Sequence, residues 1–120
     1  MFFSLDAARG QFGPCALSIG NFDGVHMGHQ ALLAVAQRYA SNLRVSPAVL
    51  TFHPHPAVFV APHRVPEMIC GLEERLRRLT AAGAERILVL PFNHDVAHLS
   101  AEEFVSQIVI EGLRAKAIFV

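Results

Sequence analysis

Cysteine is scarce. The 120-residue chain has two, Cys15 and Cys70, and they form no CxxC or other metal-ligand spacing. Two thiols make no disulfide scaffold, so a reducing cytoplasm is the expected compartment. Charge of one sign is missing as well: ten Lys and Arg balance ten Asp and Glu. No general attraction to nucleic acid or to an anionic membrane is therefore expected, and any grip on a phosphorylated ligand has to be local. No apolar run approaches the roughly 20 residues of a membrane span. The opening "MFFSLDAARG" lacks the basic and apolar regions of a signal peptide. Repeats and low-complexity tracts are absent. Apolar residues are what the chain does have. It is 52% hydrophobic and 17% charged, which excludes disorder and suits one domain with one buried core.

Residues 15–20, "CALSIG", read as a short buried strand ending at a glycine. Beyond a Gly-rich turn, Leu32, Val35, Ala36 and Tyr39 recur at i, i+3, i+4 and i+7, one face of a helix. "VSPAVLTF" (45–52) is a second strand, after which four prolines keep residues 53–66 irregular. Leu72, Leu76 and Leu79 mark a second helix that Gly83 ends. "RILVLPF" (86–92) is a third strand, apolar on both faces as in a sheet covered on both sides. Ser100 and Glu103 form a capping box ahead of a third helix whose stripe is Phe104, Val105, Ile108 and Val109, with Gly112 near its end. "AKAIFV" (115–120) is a fourth, buried strand. Asp95 and Ser100 read as turn and cap residues, and Arg75, Arg77 and Arg78 as a solvated helix face. His63, His94 and His98 carry no readable signal.

Strand and helix thus alternate through four strands and three helices, the pattern of a Rossmann-like, doubly wound parallel α/β sheet with right-handed crossovers. Such sheets bind ligands beyond the carboxyl ends of their strands, where strand order reverses. The turn "GNFDGVHMGH" leaves the carboxyl end of the first strand, which makes it the leading site candidate. The chain ends at Val120 within a strand and with no helix to cover it, so residues 1–120 are expected to be part of a larger domain.

Gly20, Gly24 and Gly28 suit a loop that needs positive φ or close approach to a ligand. Amides aimed at an anion, followed by a helix start with unpaired N–H groups and a positive dipole end, favour phosphate. His26 and His29, three apart, share one side of that helix start. Two imidazoles there can donate hydrogen bonds to phosphate oxygens and stabilise charge growing at an attacked phosphorus. That is electrostatic catalysis, and it needs no side-chain nucleophile. A tight structural turn or a pair of surface histidines are readings the same residues allow. A metal site would need Asp23 or His55 to complete its ligands, and none is assigned. The stretch is neither a Walker A loop nor the dinucleotide GxGxxG fingerprint.

"HMGH" (26–29) resembles the HxGH signature of the nucleotidyltransferase superfamily. The longer "IGNFDGVHMGHQALL" resembles the adenylyltransferase module of prokaryotic bifunctional FAD synthetases (riboflavin kinase/FMN adenylyltransferase). "LTFHPHPAVF" (50–59) and "LVLPFNHDVAHLSAEEFV" (88–105) resemble that family's second and third conserved regions, in the same order. The resemblance implies transfer of AMP from ATP to FMN, giving FAD and pyrophosphate, with Mg²⁺ required. It implies that His26 and His29 contact the ATP phosphates and that Gly20, Asn21, Phe22, Asp23, Gly24 and Gly28 form the loop around the nucleotide. It sets Pro54, Pro56 and Phe59 on the flavin side. His53 departs from a position that is frequently acidic in relatives. A Gly-x-Asp/Asn-Phe-x-Phe-Gly loop, an Ile-Ser-Ser-Thr-x-Ile-Arg segment and a C-terminal riboflavin kinase domain are not in these 120 residues, so poor activity of this stretch alone is expected. Another HxGH nucleotidyltransferase, or a non-catalytic nucleotide- or flavin-binding module, is the alternative.

Overall fold

The computed structural model describes residues 1–23, 27–54 and 71–120. Its elements run α1 (Leu5–Ala8), β1 (Cys15–Ile19), α2 (Met27–Leu43), β2 (Ser46–His53), α3 (Leu72–Ala81), β3 (Arg86–Pro91), α4 (His94–Ala97), α5 (Ala101–Glu103, continuing as a π-helical stretch Phe104–Gly112) and β4 (Ala115–Phe119). The four strands form one sheet in the order β3-β2-β1-β4, and every pairing is parallel. The chain steps outward from β1 to β2 to β3, then returns to the other side of β1 for β4. Strand order therefore reverses at β1.

Residues alternate between the two faces of each strand. Cys15, Leu17, Ala48, Leu50, Leu88 and Leu90 pack with Ala8, Phe12, Ile108, Val109 and Leu113. On the opposite face, Val49, Ile87 and Val89 pack with Leu33, Leu76 and Leu79. Both faces are covered by helices, the doubly wound arrangement that the apolar third strand foretells.

Three expectations need correction. Tyr39 is 53% exposed, and the buried line of α2 is Leu33, Ala36 and Ala40. The Tyr39 ring instead leans on Phe119 of the edge strand, with centroids 5.3 Å apart. Val105 is exposed while Ile108, Val109 and Leu113 are buried. The reason is hydrogen bonding of the π type: the Leu113 amide donates to the Ile108 carbonyl five residues back, at 2.9 Å. A wider turn rotates the buried stripe away from the α-helical spacing. β4 is an edge strand that alternates half-buried and exposed residues rather than a buried one. The capping box at Ser100 and Glu103 forms as expected, whereas Asp95 lies in the first turn of a short helix capped by Asn93. Most of the proline-rich segment 53–66 lies outside the described residues.

Candidate functional site

The turn after β1 is built by partners from three elements. Gly20 still belongs to the sheet, its amide donating to the Leu50 carbonyl at 3.1 Å. The next carbonyl, that of Asn21, turns inward. It accepts from Arg75 Nη1 at 2.7 Å and from the Thr51 hydroxyl at 3.1 Å. The same Arg75 nitrogen donates to the Phe52 carbonyl at 3.1 Å and to Thr51 Oγ1 at 3.2 Å. Arg75 is 1% exposed. These bonds are made away from bulk water, where an unmade one is most costly.

Phe22 follows with φ of 54°. That is the left-handed region, which bulky residues rarely enter unless the surroundings hold them there. Its ring is fully buried. A Cβ added at Gly20 would sit 3.2 Å from Phe22 Cε2. The sequence points to glycines for an unusual φ; among the described residues of the turn Phe22 has it, and Gly20 supplies room for the ring. On its other side the Phe22 ring meets the His29 imidazole edge to face, with centroids 5.0 Å apart and planes at 63°.

His29 and Gly28 lie in the first turn of α2. Helix-start amides have no intrahelical acceptor, and no acidic side chain lies within this first turn. His29, Asn21 and Asp23 are half-buried. The structure thus brings together Gly20, Asn21, Phe22, Asp23, Gly28 and His29 where β1 passes into α2. Gly24, His26, Pro56 and Phe59 lie outside the described residues, as do Cys70, His55 and His63. Pro54 is half-buried beyond the end of β2. Beside it, Phe52 packs against Phe92 at 5.7 Å and Phe104 at 6.2 Å between ring centroids. His53 is exposed. His94 and His98 are exposed on α4, with His98 Nδ1 2.6 Å from the His94 carbonyl oxygen. Among the described residues, no group of three or more His, Cys, Asp or Glu could hold a metal ion.

Arg75 overturns the reading of its helix. Arg77 and Arg78 do face solvent, paired with Glu74 at 2.6 and 3.1 Å. Arg75 points the other way. The signal was present: Arg75 falls in the stripe Leu72, Arg75, Leu76, Leu79, a core-facing position given to a cation. Thr51, which shares the Asn21 carbonyl with it, sits mid-strand among apolar residues, and the strand pattern gives its hydroxyl no signal.

The fold and this turn define a doubly wound parallel α/β domain of the nucleotidyltransferase type, with its glycine- and histidine-bearing turn at the strand-order reversal. The family model for FAD synthetase matches residues 9–120. The chain belongs to the FAD synthetase family. It is 41% identical over 99 residues to a bifunctional riboflavin kinase/FMN adenylyltransferase of Pseudomonas fluorescens, covering 82% of this chain and 32% of that protein. The namesake of Escherichia coli K12 is 37% identical over 102 residues, covering 85% of this chain and 33% of its own length. The chain therefore spans about a third of the length of these relatives. A solved structure described as a macrolide-efflux protein from Streptococcus pneumoniae superposes with a TM-score of 0.79 at 28% identity, covering 99% of this chain and 48% of that one. Among the described residues no helix is long and apolar enough to cross a membrane.

Proposed function

We propose that this chain carries the nucleotide-gripping part of an FMN adenylyltransferase, which joins AMP from ATP to FMN to give FAD and pyrophosphate. The observation that carries this reading is the FAD synthetase match over residues 9–120, which includes the turn at the strand-order reversal. A phosphate oxygen of FMN attacks the α-phosphorus of ATP. The bond from that phosphorus to the bridging oxygen breaks, and pyrophosphate leaves. The nucleophile arrives on the substrate, so the protein's task is in-line positioning and charge neutralisation.

His29, with His26, donates to the phosphates and steadies the charge of the transition state. Gly20, Asn21, Phe22, Asp23, Gly24 and Gly28 shape the loop around the triphosphate. Pro54, Pro56 and Phe59 form a rigid apolar wall for the flavin. Mg²⁺ fits the donors at hand as an ion carried mainly by phosphate oxygens. Asp23 is the single described carboxylate in the turn, and Mg²⁺ is commonly held by one or two carboxylates plus substrate phosphates. When bound it neutralises phosphate charge. ATP and FMN are the partners in this reading, nucleic acid and membrane are not, and the setting is the cytoplasm.

The test is incorporation of α-phosphate-labelled ATP into FAD by the intact natural protein, with FMN, pantetheine phosphate and nicotinamide mononucleotide compared as acceptors. FAD and pyrophosphate are expected with FMN alone. A product with another acceptor would name a different nucleotidyltransferase. Binding of ATP and FMN without pyrophosphate release would leave a binding module.

A further inference from the structure

We infer that Arg75 is a positioning residue for His29, acting through Asn21 and Phe22. The inference rests on the proposed role of His29 but concerns a residue outside the loop. The fully buried guanidinium reaches from α3 to the carboxyl ends of two strands. It donates to the Asn21 carbonyl beyond β1 (2.7 Å), and to the Thr51 hydroxyl (3.2 Å) and Phe52 carbonyl (3.1 Å) of β2. The Asn21 carbonyl and the Phe22 amide belong to one planar trans unit. Pinning the oxygen toward α3 therefore turns the Phe22 N–H to the opposite side. From this pinned plane the chain continues through Phe22 at φ of 54°. Phe22 in turn seats the imidazole of His29 at 5.0 Å. Each link has a second support: the Thr51 hydroxyl also holds the Asn21 carbonyl at 3.1 Å, and the absent side chain at Gly20 leaves the ring its place.

Packing alone gives no reason for a cation here. Leu72, Leu76 and Leu79 show what the stripe of α3 otherwise uses, and a buried charge is a costly way to fill space. All three acceptors lie on one nitrogen, Nη1, of a planar guanidinium, whereas a lysine ammonium is a compact charge on a flexible stem.

The test uses Arg75→Lys and Thr51→Val in the intact protein, with Arg77→Lys on the solvated side as control. Side-chain nitrogen NMR of the histidines is the first readout. Both site variants are expected to move the His29 resonances and leave those of His94 and His98 in place, and unmoved His29 resonances overturn the inference. Turnover is the second. Arg75→Lys is expected to lower kcat about tenfold to hundredfold with KM unchanged, and this loss is expected to vanish when His29 is already alanine. A loss that persists in full without the imidazole means that Arg75 only supports the fold, and the inference fails. Should Arg75→Lys not fold, Thr51→Val carries both readouts. Absence of FAD formation by the wild-type protein would remove the adenylyltransferase reading, and the NMR result would still decide whether Arg75 seats His29.

Discussion

At the scale of single residues, the imidazole set edge to face against Phe22 is the group with most to lose. His29→Ala is expected to lower FAD formation by about 10²–10³, the usual cost of one charge-stabilising donor, while FMN binding measured by flavin fluorescence stays close to wild type. His98→Ala should be silent, since that ring is exposed on α4. Equal losses at both positions would move the functional surface elsewhere. Cys15 offers a second residue-scale outcome. Burial pushes its thiol up to about 11, with the nearby Arg86 guanidinium opposing, and its Sγ lies 3.5 Å from the Leu113 carbonyl. The unfolded chain releases this proton near the ordinary thiol value, while the folded chain holds it longer. Stability should therefore be full below that ordinary value and fall as pH rises toward about 11. A melting-temperature series across this range should flatten in Cys15→Ala, and identical slopes would refute the assignment. The turn was legible in sequence because "HMGH" and its flanking glycines are local. Arg75 was legible only through its place in the leucine stripe of α3, which two neighbouring solvated arginines obscure. A sequence cannot say that a phenylalanine takes a left-handed φ.

At the scale of elements, the join between α2 and α3 turns on Gly83. It has φ of 105°, and a Cβ there would overlap the Gln37 side chain, whose Nε2 donates to the Ala82 carbonyl at 2.8 Å. Gly83→Ala combines backbone strain with the loss of that bond and should destabilise by about 2 kcal/mol or more in urea unfolding. The start of α5 is a milder case. Ser100 and Glu103 cap it reciprocally at 3.1 and 3.0 Å, and these bonds hold the Glu103 carboxyl below its ordinary value. Ser100→Ala should cost about 1 kcal/mol. The element sequence was readable because caps, helix-ending glycines and apolar strands are all short-range signals. The same helix shows the limit: its π-type bonding shifts the buried stripe from Val105 toward Leu113, and only the completed packing selects that. The shift on α2, where Leu33 is buried and Leu32 packs only partly buried beside it, has the same origin.

At the scale of the whole molecule, alternating strands and helices announced a parallel sheet, but strand order is a long-range fact that no window of sequence contains. Order decides where the site lies. β1 is bonded to β2 on one side and β4 on the other, so its amides should be among the last to exchange in hydrogen–deuterium measurements, later than those of β4 at the edge. Faster exchange at Leu17 than at Ile118 would contradict the observed order. The amino terminus is tied in as well. The Phe2 amide donates to Ile87 and its carbonyl accepts from Val89, both at 2.8 Å, a one-residue bridge too brief to leave a pattern in the sequence.

The interior place of β1 also bears on heat damage. Gly20 and Asn21, where the turn leaves the innermost strand, are held by the Leu50 carbonyl, Thr51 and Arg75. Warming should therefore free these two anchoring residues together with β1 and not before it.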